Sequence, residues 1–445
     1  MHLTILGTGY VGLVTGADFA CRGIDVTCVD IDVARIEGLQ QGVMPFHEKD
    51  LPERVADGVA AGLLHFTIDA AAATANANVV MCAVATPTNA DGHADLSAVF
   101  AVADLFAAHA KSGAVLVNKS TVPVGTADVC GKRIRDFRQY SRPDPVAAVA
   151  VISNPEFLSQ STAVADTAHP TRIVVGVDVG DEWAGKVMRE LNATFIEGGV
   201  PYVEMTTRSA EIVKCAANAF LATKISFINE IANFCERTGG NVDEVAKAIG
   251  LDPRIGADFL QAGLGYGGSC LSKDTRALIA AGNDAGYAFR ILPNVEAVND
   301  AQKFSLLDRY EREVGSFAGK RVAVWGVAFK AGTDDVRHSP ALPIITRLIS
   351  VGANVCVFDP LVTEEKIKFL IPDLTPPFSP FCKTALDAVR NADVLLIHTN
   401  APEFAAYDIE SIASVMRSAV ILDGRRVFAG RVIPKNVRYF CVGCG

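Results

Sequence analysis

The chain has 445 residues, half of them hydrophobic and a fifth charged, which suits two or three soluble globular domains with large cores. A net charge of −9 argues against a nucleic-acid partner and against a surface drawn to anionic lipid. Eleven scattered cysteines without a framework spacing, and an apolar strand already at residue 2, predict reduced thiols and a cytoplasmic, non-membrane protein without a signal peptide.

His2 to Leu6 reads as a short strand, followed by Gly7-Thr8-Gly9-Tyr10-Val11-Gly12, a helix through Ala20, and a second strand from Asp25 to Val29 that ends in Asp30. A lone GxGxxG is weak evidence, but strand, GxGxxG, helix, strand and acid in this order form a dinucleotide-binding unit. Gly7 makes the tight turn, Gly9 lets a pyrophosphate approach, and Gly12 lets the helix pack on the strand. Asp30 is placed to accept hydrogen bonds from the adenosine ribose and would repel a 2′-phosphate, so NAD is favoured over NADP. Arg35 is a mild counter-signal.

Further strands are expected at Val79–Val84, Ala114–Asn118 and Ala148–Ile152, with Thr86, Thr121 and Glu156 at their carboxyl ends, where ligands bind in such sheets. For Thr86 and Thr121 a plain turn role is as good a reading. Glu156 sits among apolar residues, where an idle carboxylate is costly. Ile173–Val177 and Val200–Val203 complete this domain.

From Met205 to Arg237 there is no proline or glycine and apolar residues recur at helical spacing, which predicts a helix roughly 45–50 Å long. A helix of that length would bridge two domains and offer a dimer surface. Lys214 and Asn218 share one of its faces. A second helix (Val242–Ile249) leads through Asp252-Pro253-Arg254-Ile255-Gly256 to Gly265-Tyr266-Gly267-Gly268-Ser269-Cys270-Leu271-Ser272-Lys273-Asp274. Three glycines there would let a ligand lie against the backbone. Cys270 would stand at a helix N-terminus, where the thiolate is favoured, with Asp274 one turn on and Lys273 adding charge. Against this stands the reading of a buried, inert thiol with a capping carboxylate.

A second α/β unit opens at Lys320–Trp325, runs through Gly326 and a helix over Pro340–Val351, and reaches a strand at Asn354–Phe358 ending in Asp359. It repeats the opening unit with an insertion, Ala331–Ser339. Lys330, Asp334 and Arg337 there suit either an anionic ligand or plain surface charge. Later strands end in Asp423-Gly424-Arg425, and the tail Cys441-Val442-Gly443-Cys444 reads as a last strand with incidental cysteines, since a lone CxxC does not make a zinc site. The expected architecture is α/β, two Rossmann-like doubly wound domains joined by a long central helix. The expected division is residues 1–204, 205–305 and 306–445.

Taken in order, the dinucleotide fingerprint, Ser120–Thr126, Asn154–Leu158, Lys214 with Asn218, Gly265–Asp274 and Phe329–Arg337 resemble the UDP-glucose/GDP-mannose dehydrogenase family over nearly the whole chain. The resemblance implies a double oxidation of a nucleotide-sugar C6 alcohol to the acid with two NAD. It also implies a homodimer through the central helix. Asp252–Gly256 and Gly267–Cys270 are similar to the branch that oxidises UDP-glucose to UDP-glucuronate. In that reading Cys270 carries a thiohemiacetal and then a thioester, with catalytic roles for Asp274, Lys214, Asn218, Glu156 and Thr121. Cofactor contacts would fall to Gly7, Gly9, Val11, Gly12, Asp30, Arg35, Thr86, Thr121, Lys273 and Arg337. Glu156, Phe157, Leu158, Gln160, Lys214, Asn218, Lys330 and Arg425 would bind the sugar nucleotide. The backbone of Phe259, Leu260, Gln261, Ala262, Gly263 and Gly267 would line the same site, and Arg254 would reach it from a neighbouring subunit. No metal is implied. The chain departs from the family pattern at Leu271-Ser272 (usually Phe-Pro), Ser159-Gln160 (often Arg-Glu) and His338 (often Glu). Rival readings are the same chemistry on GDP-mannose or another UDP-hexose, a single two-electron dehydrogenase with a structural Cys270, and a non-catalytic nucleotide-binding module.

Overall fold

A computed structural model describes residues 1–89, 92–141, 150–370 and 381–444. They form two compact units, residues 1–217 with 276–287, and residues 218–275 with the stretch from 288 onward. The first unit is built on eight strands, β1 (His2–Leu6), β2 (Asp25–Val29), β3 (Leu64–Thr67), β4 (Val79–Cys82), β5 (Val115–Asn118), β6 (Ala150–Ser153), β7 (Ile173–Gly176) and β8 (Tyr202–Met205). Their order is β3-β2-β1-β4-β5-β6-β7-β8. Every residue of β4, β5, β6 and β7 is buried, because helices cover both faces of a parallel sheet. One pairing breaks the parallel rule, since β6 and β7 meet antiparallel at Ser153 and Gly176. Sequence reasoning missed β3, whose four residues alternate weakly, and set β8 two residues early. Residues 148 and 149 of the expected sixth strand lie outside the described residues.

The second unit carries β9 (Arg321–Trp325), β10 (Asn354–Phe358), β11 (Val394–Ile397), β12 (Val420–Asp423) and β13 (Arg438–Cys441), all parallel in the order β10-β9-β11-β12-β13. It repeats the first unit down to individual bonds. The Gly7 N–H donates to the Val29 carbonyl at 2.8 Å, and the Gly326 N–H donates to the Phe358 carbonyl at 2.8 Å. Asp30 accepts from the Thr8 N–H, and Asp359 accepts from the Val327 and Ala328 N–H groups. In both, an acid at the end of the second strand satisfies the turn after the first, whose amides would otherwise lack partners.

A helix of 32 residues, Thr207–Thr238, begins in the first unit and ends in the second, about 48 Å at 1.5 Å per residue. It therefore links the two units. The helix Val242–Gly250 follows, capped by the Asn241 side chain, which accepts from the Asp243 N–H. Among the described residues no helix is long and apolar enough to cross a membrane.

Candidate active site

In the first unit the strand order turns back between β1 and β4, and of the candidate cofactor residues Gly7, Gly9, Asp30, Thr86 and Thr121 stand on loops at the carboxyl ends of its strands, while Lys273 and Arg337 belong to the second unit. Gly7 has φ +103°, and a Cβ on Gly12 would fall 1.9 Å from the Gly7 carbonyl oxygen, so both glycines are forced by the turn itself. Gly9 differs, because a Cβ there would meet nothing within 4 Å. It caps the first helix (Tyr10–Cys21) without any side-chain bond. These features fit a pyrophosphate on the helix N-terminus. Val11 is half-buried on the same turn and packs on the core.

Asp30 is already engaged. It accepts from the Thr8 N–H and hydroxyl at 2.8 Å each, from the Asp32 N–H at 3.1 Å and from Arg35 at 3.0 Å. Burial opposes its charge, but the Thr8, Asp32 and Arg35 contacts hold its carboxyl below the usual carboxylate range. Arg35 also lies 3.8 Å from Asp32, so its charge is committed to two carboxylates rather than offered to a 2′-phosphate.

The loops after β4 and β5 are tied together. The Thr86 hydroxyl donates to the Thr121 carbonyl at 2.9 Å, and the Ser120 hydroxyl donates to the Val84 carbonyl at 2.7 Å. Glu211, from the long helix, accepts from the Gly125 N–H at 2.6 Å and the Ala127 N–H at 2.9 Å. It thereby satisfies the exposed donors at the start of the helix Thr126–Ser141. Sequence reasoning passed over Glu211, which looks like one more charge on a long helix until the tertiary fold brings it to that loop.

Glu156 lies in the loop after β6 and is buried with Lys214, their charges 2.8 Å apart and their side chains 7% and 5% exposed. It also accepts from the Leu158 N–H at 2.6 Å. Burial alone would raise its pKa. Lys214, the Leu158 N–H and Lys119 together bring it below the ordinary value, so the group is a carboxylate at neutral pH. Lys119 is a further participant that the sequence did not single out. Its amine donates to Asn154 Oδ1 at 3.1 Å. Burial lowers its pKa to about 8, with Glu156 pulling it up and Lys214 pushing it down. The Phe157 ring carries the Arg172 guanidinium at 3.8 Å and the Lys214 amine at 5.7 Å. Leu158 packs on the core, and Gln160 is half-buried beside it.

In the second unit, Cys270 is exposed, which removes the buried-thiol reading. It is the residue before the helix Leu271–Asp284, and its carbonyl accepts the first helical bond from the Asp274 N–H at 2.8 Å. A thiol there gains from the helix dipole. Asp274 is 1% exposed. It accepts from the Asn218 amide at 2.6 Å and from the Lys273 amine at 2.6 Å, so one turn of the long helix and one of the cysteine helix are joined through a single carboxylate. Ser272 donates to Glu296, which also accepts from the Tyr266 hydroxyl at 2.7 Å.

The glycine loop makes close approaches to the protein's own chain. A Cβ would lie 2.6 Å from Asn299 Oδ1 at Gly265, 2.4 Å from the His338 carbonyl oxygen at Gly267, and 2.9 Å from the Phe329 ring at Gly268. The loop is thin because the segment Phe329–Pro340 lies against it, with the Gly268 N–H donating to the Arg337 carbonyl at 3.0 Å. Arg337 itself is fixed to Asp335, at 2.9 and 2.6 Å, and Lys366 takes Asp334 at 2.8 Å. The Lys330 amine sits 5.7 Å from the Phe329 ring centre.

Arg425 follows β12 and donates to the Gly265 carbonyl at 2.9 Å and the His398 carbonyl at 2.8 Å. Burial lowers its pKa to about 10. Gly263 is held by Asn229 and Gln302, at 2.9 and 2.8 Å, while Leu260 and Ala262 are buried and Phe259 (φ +65°) and Gln261 are exposed. Arg254 projects from the surface with its side chain 87% exposed, paired to Asp252 at 2.6 Å. His398 was not anticipated. It is fully buried beside Arg425, with neither ring nitrogen hydrogen-bonded, and burial holds its pKa well below the usual value. No group of three His, Cys, Asp or Glu that could hold a metal occurs among the described residues.

Comparison with known proteins covers the same ground. The UDP-glucose/GDP-mannose dehydrogenase family's NAD binding domain matches residues 1–196, its central domain residues 208–301 and its UDP binding domain residues 323–430. The UDP-glucose 6-dehydrogenase of Rhizobium meliloti is 43% identical, covering 100% of this chain and 99% of that protein. The Pseudomonas aeruginosa enzyme of the same name is 42% identical over 96% and 94%. A UDP-glucose dehydrogenase structure from Pyrobaculum islandicum superposes with a TM-score of 0.87 at 32% identity, over 100% of this chain and 98% of the other. The exposed cysteine at a helix start, the open Gly9 turn and these matches agree: the chain belongs to the UDP-glucose/GDP-mannose dehydrogenase family and is an NAD-dependent oxidoreductase.

Proposed function

We propose that the chain oxidises the C6 alcohol of UDP-glucose to the carboxylate of UDP-glucuronate, in four electrons. The observation that carries this reading is Cys270, exposed at the start of its helix and one turn from a buried Asp274 that Asn218 and Lys273 hold in place. Bound NAD supplies the hydride acceptor, two equivalents per sugar. Asp274 takes up the hydroxyl proton in the first oxidation, with Lys214 steadying the oxyanion. The Cys270 thiolate adds to the C6 aldehyde to give a thiohemiacetal, which holds the sugar until it becomes a thioester. Water then cleaves the carbon–sulfur bond, returning the thiol and the acid, with Glu156 and Thr121 orienting that water.

Gly7, Gly9, Gly12, Asp30 and Thr86 would hold the cofactor, and Arg425, Lys330 and the backbone from Phe259 to Gly263 the UDP-sugar. The ion pair with Lys214 makes Glu156 a weak base as it stands, so orientation of water is the larger part of its role. Association through the long helix is supported by Phe220, Phe227 and Phe234, which recur every seven residues and are 66%, 49% and 63% exposed. Lys224, on the same helix, donates to the Ile255 and Gly256 carbonyls at 3.1 and 3.3 Å. It thus anchors the Arg254 loop beside that surface.

The test is NADH formed per UDP-glucose consumed, for the wild type and Cys270→Ala. Two NADH per sugar, with the variant unable to complete both oxidations, is the expected result. One NADH per sugar in the wild type overturns the thioester route. No turnover of UDP-glucose alongside turnover of GDP-mannose overturns the substrate.

A further inference from the structure

The C-terminal CxxC is more than the end of a strand. Cys441 closes β13, and Val442 and Gly443 form a turn with φ +74° at Gly443. That turn is seated tightly. A Cβ on Gly443 would fall 2.3 Å from Val242 Cγ1. The Gly443 carbonyl accepts from the Val242 N–H at 3.2 Å, the Gly443 N–H donates to Glu236 at 2.8 Å, and Arg309 donates to the Cys444 carbonyl at 2.8 Å. The ends of a β-turn lie within about 7 Å, which is the Cα separation a disulfide spans. The two sulfurs are in contact at 2.8 Å as free thiols.

A cation faces both of them. Arg426, in the left-handed region at φ +60°, donates to Cys441 Sγ at 3.5 Å and Cys444 Sγ at 3.2 Å, as well as to the Val442 carbonyl. Its other edge is fixed to Asp243 at 2.8 Å, in the first turn of the helix Val242–Gly250. The pair is graded in access, since Cys441 is 1% exposed and Cys444 is half-buried. This is an attacking thiol that solvent can reach, a resolving thiol behind it that burial keeps protonated, and a guanidinium that donates to both sulfurs.

Arg426 adjoins Arg425, which donates to the Gly265 carbonyl at the start of the loop leading to Cys270. We propose that Cys441 and Cys444 form a redox-active dithiol site, and that its state is felt at the nucleotide-sugar site through Arg426 and Arg425. The exchange balances with a small disulfide as oxidant. Cys444 thiolate attacks one sulfur of the small disulfide and releases the first small thiol. Cys441 then attacks the Cys444 sulfur and releases the second. Two protein thiols become one disulfide, one small disulfide becomes two thiols, and the two protein protons pass to the departing thiolates. Closing the bond turns two thiol acceptors of Arg426 into a disulfide, which changes how that guanidinium is held beside Cys441 and Cys444; its backbone is continuous with that of Arg425. The second half of the proposal rests on Arg425 binding the UDP moiety.

The test uses full-length Cys270→Ser, which keeps the active-site thiol out of the exchange, with Cys270→Ser/Cys441→Ser/Cys444→Ser as control. Each is equilibrated with reduced or oxidised glutathione, mapped by peptide mass spectrometry, and titrated with UDP by calorimetry. The expected result is a C-terminal peptide lighter by two hydrogens after oxidation, and a UDP affinity that changes at least threefold between states only where both tail cysteines remain. A tail that stays dithiol under oxidised glutathione overturns the site. A tail disulfide with unchanged UDP affinity overturns the coupling. Absence of UDP binding in every state overturns the substrate reading itself, and the coupling with it, while the peptide map still decides the dithiol.

Discussion

Replacing Glu156 with Gln removes the carboxylate paired with buried Lys214. At the observed 2.8 Å the pair's attraction is about 6 kcal/mol at an effective dielectric of about 20. Most of that offsets the desolvation of two ions, so the intact pair contributes little net stability, while breaking one side costs about 3–5 kcal/mol. Lys119 relieves itself of the change. Its pKa of about 8 means that shedding its proton at pH 7 costs about 1.4 kcal/mol, and losing Glu156 makes this easier. The residual penalty therefore falls on Lys214, and Glu156→Gln/Lys214→Met, which removes both charges, recovers most of it. Hydrogen exchange of the β6 peptide Ala150–Ser153 reads this locally, without requiring a two-state transition of the whole chain. A loss of about 3 kcal/mol accelerates exchange about a hundredfold. The expected pattern is that acceleration in the single variant and a return to within about tenfold of wild type in the double. Exchange in Glu156→Gln within about threefold of wild type, or a double variant no better than the single, refutes the reasoning. The pH dependence follows the lowered carboxyl. The pair's stability is present above the unfolded carboxyl's pKa and is lost as pH falls through the lower folded value.

Gly9→Ala meets no atom within 4 Å whereas Gly12→Ala meets a carbonyl at 1.9 Å, so the first should fold with an unchanged melting temperature and an NAD KM raised about tenfold, and the second should fail to fold; equal stability of the two would contradict the packing. Gly267→Ala forces a methyl onto the His338 carbonyl and should lower kcat at least tenfold while NAD binding, measured by fluorescence titration, holds; unchanged kcat would show that the loop gives way freely. His398 is held neutral by burial first and by Arg425 second. Its folded pKa lies below the unfolded value of about 6.5, so the protein loses stability as pH falls below that point. His398→Leu should flatten the drop in melting temperature between pH 7 and pH 5, and identical slopes would exclude the histidine as the cause.

The order of elements was legible in the sequence wherever local physics settles it. Gly7, Gly12 and Asp30 mark the first turn because a glycine-only geometry and a strand-end acid recur at fixed spacing, and the same signs mark Gly326 and Asp359. The long helix followed from an uninterrupted helical pattern, and the position of Cys270 from a run of helix formers after it. Edges were harder. β3 is short and β6 meets β7 antiparallel, a pairing that no local pattern announces. Site chemistry divided in the same way. Which residues carry charge or a thiol is written in the chain, but what each charge faces is not. Only the folded chain pairs Glu156 with Lys214, sets Lys119 beside them, turns Glu211 onto the Gly125 loop and leaves His398 buried without a partner, because these contacts join residues 35 to 86 positions apart or sit in burial that composition does not reveal. The glycine loop shows the limit most plainly. Its glycines were visible at once, yet the tertiary structure decided that they make room for His338, Phe329 and Asn299, since a missing side chain records that something must come close and not what it is.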